Sequence, residues 1–456
     1  MKNMTLAAIC AAVNGTLYYA ENADTEKVTA TQVIIDSRKI IPGGVFIATP
    51  GERVDGHSFI PQVFEKGALG VICQTLPDKP LGPCILVEDS FKALKEVAAF
   101  YREQLDIKVV GITGSVGKTS TKEFVASVLA THYKTAKTLG NFNNEIGVPL
   151  TILSVKDDDE VLVLEMGINH FGEMSRLSAI GKPDIALITN IGQCHLEYLE
   201  DRDGVLKAKT EIFTSMNKQG TVILNGDDDK LITITEVNGR KPLFFGHDKN
   251  NDIYVTDITS KGLFGTEASL KSVSGNHVFA DIPLPGEHMV NNAMAAMAVG
   301  EVLGLSTDEI TEGIKKVPAT SGRSNIIKGQ KYTLIDDCYN ANPTSMKSAI
   351  DLLNTANTSK VAILGDMFEL GEDELKLHGE VGSYAAASGI DVLVCVGKLS
   401  KAMYEAALKE QTAMVYYFAT REDAINALPS ILREGDSVLI KASHGMGFDK
   451  MVESLQ

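Results

Sequence analysis

The hydrophobic pattern along the chain changes rhythm twice. Up to about residue 105, short apolar runs alternate with turns. Residues 33–36, 45–49, 70–73 and 84–87 read as strands, broken by Pro42-Gly43-Gly44 and Leu81-Gly82-Pro83. The apolar stretch 6–13 has Thr5 as N-cap and Gly15 past its last turn, which predicts a short helix rather than a cleaved leader. Phe91, Leu94, Val97, Ala98 and Tyr101 share one face of a helix over 90–105.

From residue 108 the runs lengthen. Strands at 108–113, 160–165, 184–189 and 221–225 alternate with helical stretches, the pattern of a parallel sheet covered on both faces. Between 252 and 285 apolar and polar residues alternate around turns at Lys261-Gly262 and Ser274-Gly275-Asn276, which predicts an antiparallel excursion. An Ala- and Met-rich helix over 287–303 closes this unit, with a boundary near 317–321. After it, strands at 332–336, 361–364, 391–396, 415–418 and 437–441 each precede a helix, as in a doubly wound domain, but without GxGxxG. The fold class is therefore α/β in three domains: a small α/β unit (1–105), a central phosphate-loop unit with a parallel sheet (106–317) and a C-terminal Rossmann-like unit (318–456).

Composition narrows the trade. The chain has 456 residues and a net charge of −16, which argues against a duplex nucleic-acid binder or an anionic-membrane binder. No apolar run approaches the length of a membrane span. The six cysteines are scattered, with no CxxC pair, which fits small buried hydrophobes in a reducing cytoplasm. The acidic run 157–160 reads as a solvated loop.

The strongest chemical element is Gly111-Ile112-Thr113-Gly114-Ser115-Val116-Gly117-Lys118-Thr119-Ser120, after an apolar strand and before a helix. Its glycines allow backbone N–H groups to turn inward around phosphate oxygens at a helix N-terminus. Lys118 is placed to reach the β- and γ-phosphates, and the Thr119 hydroxyl to join a magnesium shell. The usual spacing puts a glycine at position 112, where Ile stands. Glu165, at the tip of a neighbouring strand, is placed to hold magnesium through oxygen. His195 follows another strand. Read by composition alone, it is a lone structural histidine, and Lys207 and Lys209 are exposed helix lysines.

These residues resemble the Mur ligase family of ATP-dependent amide-forming enzymes. The resemblance rests on the phosphate loop, Asn141-Phe142-Asn143-Asn144-Glu145-Ile146-Gly147-Val148-Pro149, Glu165-Met166-Gly167, the run from Thr189 to Glu197, and Ala208-Lys209. Further segments resemble the branch that adds D-alanyl-D-alanine: Asp336-Asp337-Cys338-Tyr339-Asn340-Ala341-Asn342-Pro343, and Leu364-Gly365-Asp366-Met367-Phe368-Glu369-Leu370-Gly371 with His378 downstream. Asp36-Ser37-Arg38-Lys39, Gly51-Glu52 and Asp55-Gly56-His57 resemble its uridine-nucleotide unit.

The resemblance implies ATP and two magnesium ions, with Thr119, Glu165, His195 and a carbamylated Lys209 toward metal. It implies Gly114, Ser115, Gly117, Lys118, Thr119, Ser120, Asn292, Arg323 and Asp337 toward ATP, Asn292 at the adenine. It implies Ser37, Arg38, Asn143, Asn144 and Asn340 toward substrate, and Lys118, Glu165, His195 and Lys209 in catalysis. Met289 stands where the family often has Asn, and His444 where it has Arg. The implied reaction joins D-alanyl-D-alanine to UDP-N-acetylmuramoyl-tripeptide through an acyl phosphate in peptidoglycan synthesis. A cytoplasmic monomer is expected, without nucleic-acid partner or membrane span. His378 is a candidate base for the attacking amine. The rival readings are a relative that adds a different amino acid and a phosphate-loop ATPase that is no ligase.

Overall fold

The computed structural model describes residues 1–21, 23–51, 54–79 and 81–456, so Glu52 of the uridine-unit motif lies outside the described residues. Among the described residues, three sheets of five, nine and six strands follow one another along the chain. In the first, Gly70–Cys73 pairs in parallel with Val45–Ile47 on one side and Cys84–Leu86 on the other. Thr16–Tyr18, a strand too short for a sequence signal, closes an edge antiparallel to Cys84–Leu86.

The helix Ser90–Gln104 joins this unit to the next. Asp89 caps it by accepting from the N–H groups of Phe91 and Lys92. Its apolar face buries Leu94, Val97, Ala98 and Tyr101, as the periodicity predicts. These residues share one continuous core with Val148, Ile152, Leu162 and Leu164 of the central unit. The Tyr101 hydroxyl donates to Val155 O at 2.8 Å, so this large buried ring leaves no polar atom orphaned.

In the central sheet, Lys108–Thr113 lies between Val161–Glu165 and Ile185–Ile188, parallel to both. All three are nearly continuous apolar runs because helices cover both faces. The chain continues from Lys108–Thr113 toward one side of the sheet and returns to the other, so a crevice opens at the carboxyl ends of these strands. The predicted antiparallel excursion is present as Ile253–Ser260, Thr266–Ser272 and His277–Ile282. Leu243–Gly246, which the pattern did not mark, bridges it to the parallel strands.

The C-terminal sheet runs Asn325–Lys328, Thr333–Asp336, Ser437–Lys441, Lys360–Gly365, Val392–Val396, Met414–Phe418. Only the first pair is antiparallel. Separate apolar cores fill its two faces. Leu263 of the central unit is buried in one of them and Leu196 packs against it, so the second and third units touch through apolar side chains as well as at the crevice. No helix among the described residues is long and apolar enough to cross a membrane. All six cysteines are free, four of them buried.

Candidate active site

The carboxyl ends of the central strands face those of the C-terminal sheet across a cleft of about 680 Å³. The phosphate loop forms its floor. Gly117 enters the helix Lys118–Leu129 with φ 82°, a left-handed conformation that leaves the first-turn N–H groups free of any side-chain cap. The tip of the next strand props the loop open. Asn190 Oδ1 accepts from Val116 N at 3.0 Å, and the Thr189 hydroxyl donates to Val116 O at 2.6 Å. Ser115 Oγ accepts from Gly192 N at 2.8 Å.

Gly114 has φ 150°, and a Cβ there would stand 1.9 Å from Thr189 Oγ1. That hydroxyl sits on a short β-branched side chain already engaged with Val116, so it cannot swing away. Gly114→Ala should therefore distort the loop, at a strain of about 1–3 kcal/mol. The expected result is at least tenfold weaker ATP binding with the UDP-substrate affinity unchanged, both read by titration calorimetry.

Lys118 is half-buried, and its Nζ donates to Gly114 O at 2.7 Å and Ser115 O at 3.4 Å, inside its own loop. Burial and the nearby charge of Lys209 pull its ammonium down to about 8. A cleft-lining cation that, among the described residues, bonds carbonyl oxygens and no carboxylate fits an incoming polyanion, which supplies the missing charge partner.

Thr119 and Glu165 meet as the sequence expects. The Thr119 hydroxyl donates to Glu165 Oε1 at 3.1 Å, and Asn143 Nδ2 donates to the same oxygen at 2.8 Å. The other carboxylate oxygen, Oε2, is buried without a hydrogen bond among the described residues; Lys122 Nζ lies 3.7 Å away. An orphaned acidic oxygen beside a threonine hydroxyl at a phosphate loop is a donor set that fits magnesium. Among the described residues no three His, Cys, Asp or Glu side chains converge into a metal cage. Magnesium held by one or two carboxylates and phosphate oxygens needs none.

Lys209 corrects the compositional reading. It is 1 % exposed, with no ion pair among the described residues, and burial holds its amine below the ordinary lysine value. Burial favours the neutral amine, the form that can add carbon dioxide, so the site fits a carbamate. Lys207, by contrast, is exposed, with Nζ 5.4 Å from the Phe171 ring centre. His195 lines the cleft, and its Nδ1 meets Glu369 of the C-terminal unit at 2.5 Å. That bond holds the Glu369 carboxyl below its usual value.

The C-terminal unit brings further residues to the same cleft. Arg323 donates from Nη2 to Thr119 Oγ1 at 3.3 Å, and its guanidinium lies 3.8 Å from the Tyr339 ring centre. Stacking of this kind fixes an otherwise flexible cation, by about 0.5–2 kcal/mol. Asp337 is already engaged, by Lys441 Nζ at 2.6 Å and by Ser324 N at 3.0 Å. Asn340 faces the cleft and accepts from Lys441 Nζ through its carbonyl at 2.9 Å. Asn292 accepts from the Thr121 hydroxyl at 2.7 Å, while its Nδ2 lies 3.4 Å from Met289 Sδ. Met289 therefore packs where a second amide is expected. His444 also lines the cleft, its ring centre 5.6 Å from that of Tyr339.

Other expectations fall elsewhere. Ser120 lines the cleft, and its hydroxyl makes no hydrogen bond among the described residues. Asn144 lines it too, but its Oδ1 accepts from Ile146 N and Gly147 N at the start of the helix Gly147–Leu153. Ser37 and Arg38 lie in the first unit, outside the cleft lining; Arg38 forks onto Asp36 with two bonds of 2.9 Å. His378 is no base for a substrate amine. It is wholly buried, with Nε2 accepting from Met367 N at 2.9 Å and Nδ1 bound to Glu374 O at 2.6 Å.

Two participants escaped the sequence reading. Lys122 sits one helical turn after Lys118, so an i, i+4 count would have placed it on the Glu165 side. The partnership of Glu369 with His195 joins loops of different domains, and no spacing signals it.

Comparison with known proteins follows this geometry. Three family descriptions match in chain order: Mur ligase family, catalytic domain (residues 29–108), Mur ligase middle domain (112–300), and Mur ligase, glutamate ligase domain (322–444). The UDP-N-acetylmuramoyl-tripeptide–D-alanyl-D-alanine ligase of Bacillus subtilis is 37 % identical over 100 % of this chain and 99 % of its own. Among solved structures, MurF from Acinetobacter baumannii superposes with a TM-score of 0.89 at 33 % identity, covering 99 % of this chain and 98 % of that one. The MurF ligase of Thermotoga maritima in complex with ADP gives 0.80 at 28 % identity, covering 93 % and 96 %. With likeness running end to end in both sequence and fold, the chain belongs to the Mur ligase family, in its MurF branch.

Proposed function

We propose that this protein joins D-alanyl-D-alanine to UDP-N-acetylmuramoyl-tripeptide, driven by ATP, in peptidoglycan synthesis. The observation that carries this reading is the end-to-end likeness to ligases of that name, with the motifs that distinguish them lining one cleft. In this reading residues 1–105 hold the uridine nucleotide, with Ser37 and Arg38, 106–317 hold ATP, and 318–456 bring the dipeptide. The enzyme acts as a cytoplasmic monomer.

The chemistry follows from the substrates. A carboxylate is a poor electrophile, so its oxygen first attacks the γ-phosphorus of ATP, and ADP leaves. The acyl phosphate then has a good leaving group; the dipeptide amine attacks its carbonyl carbon, the carbon–oxygen bond to phosphate breaks, and the amine gives up a proton. The loop amides from Gly114 to Ser120 and Lys118 cradle the phosphates. Arg323, fixed on Tyr339, reaches the loop from the opposite domain, where it would meet charge developing on the transferred group. Asn292 faces the adenine, and Asp337 orients Lys441 at the same wall. Asn143, Asn144 and Asn340 line the space between phosphate loop and substrates. Thr119 and Glu165 would hold one magnesium ion, and His195 and carbamylated Lys209 a second, offsetting the repulsion between carboxylate and triphosphate.

The test is phosphate release by purified protein, omitting ATP, UDP-tripeptide and D-alanyl-D-alanine in turn. Release that needs all three, with a product mass equal to the joined substrates less water, is expected. Release with ATP alone would overturn the reading in favour of a simple ATPase.

A further inference from the structure

His195 and Glu369 belong to different domains yet form one hydrogen-bonded pair, Nδ1 to Oε2 at 2.5 Å. Both adopt left-handed backbone conformations, with φ 53° and 61°, which side chains other than glycine take up only when their surroundings hold them there. The surroundings here do so. Leu196, next to His195, packs against the C-terminal core. Gly371, two residues after Glu369, has φ 68°, and a Cβ there would stand 3.6 Å from Glu197 N, so the two loops lie against each other. Two strained residues are thus aimed at one another across a built domain contact.

The bond also fixes the imidazole. An ionised carboxylate only accepts, so Nδ1 carries the hydrogen, and in the neutral imidazole the lone pair is then left on Nε2. Nε2 has no protein partner among the described residues, and the ring lines the cleft. Carboxylates that orient a histidine in this way recur wherever its second nitrogen meets a cation.

We propose that Glu369 is a positioning residue: from the C-terminal domain it sets the tautomer and ring orientation of His195, so that Nε2 is presented to the cleft only while the two domains are together. Domain apposition thereby completes the site chemically as well as sterically. The inference rests on the ligase reading above and adds a role for a cleft residue to which that reading assigns none.

Glu369→Ala should lower kcat by about 10–100-fold while leaving KM for both substrates within roughly twofold. Glu369→Gln should recover part of that loss, because its amide oxygen still accepts from Nδ1. In a His195→Ala background, Glu369→Ala should cost nothing further, since its effect passes through the imidazole. Long-range proton–nitrogen spectra of metal-free protein labelled with ¹⁵N-histidine should show His195 with hydrogen on Nδ1, and a shift toward the other tautomer in Glu369→Ala. The signal is assigned by its loss in His195→Ala. Wild-type kcat in Glu369→Ala, additive losses in the double variant, or a loss confined to KM for the dipeptide would overturn the proposal; the last would make Glu369 a direct substrate contact. A wild-type enzyme that makes no ligated product would sink the ligase reading instead, while the tautomer measurement would still report on the pair.

Discussion

Lys118→Ala is expected to lower ATP-dependent phosphate release by about 10²–10³-fold, the loss typical of removing one preorganised charge from a developing anion. The size follows from how the lysine is held. Its side chain is half-buried, its ammonium bonds the Gly114 and Ser115 carbonyls, and among the described residues no carboxylate lies within ion-pair distance of it. A triphosphate entering the loop turns a poorly solvated cation into a paired one. Because its hydrogen bonds among the described residues stay within its own loop, affinity for the UDP-substrate should stay within about twofold. Calorimetric titration of the variant with the UDP-substrate, beside a phosphate-release assay, separates the two effects. Turnover equal to that of the unaltered protein would remove the phosphate loop from the mechanism.

Lys209→Ala is the second large effect. Turnover should fall about 100-fold, and millimolar acetate or formate should restore part of it. The lysine is enclosed beside Cys194 and Lys118, with no acidic partner among the described residues. Burial favours its neutral amine, which can attack carbon dioxide and release a proton, leaving a carboxylate where the sequence encodes none. Truncation removes that carboxylate and opens room for a small free one. Rescue by short carboxylic acids, and none by short amines of equal size, distinguishes a carbamate from a lysine acting as a cation. Activity near that of the unaltered protein would exclude a role for this residue.

Both predictions start from motifs legible in the chain, but only one was legible in its chemistry. Strand, glycine turn and Gly-Lys-Thr are local, and local order suffices to predict a phosphate cradle. Composition does not distinguish Lys209 from Lys207, two residues apart on one amphipathic helix; the Ala208-Lys209 resemblance singles out the first, and packing buries it while leaving the second over Phe171. His378 shows the converse. Its position after the Leu364–Gly371 motif made it a plausible base, yet the fold uses both its nitrogens to tie the Met367 and Glu374 backbones together.

The sequence by itself determined the α/β class, the order of the β-α units and the long buried strands, because apolar periodicity and turn residues act over a few positions. It did not reveal the short strands Thr16–Tyr18, Thr135–Lys137 and Asn325–Lys328, which owe their conformation to neighbours in the sheet. It also named Glu165, Arg323 and Asp337 individually. Tertiary structure alone decided that Arg323 reaches Thr119, that Lys441 claims Asp337, and that Glu369 grips His195. Those pairings span up to about two hundred positions, and their geometry is set by how three sheets lean on one another, a long-range property that no window of residues encodes.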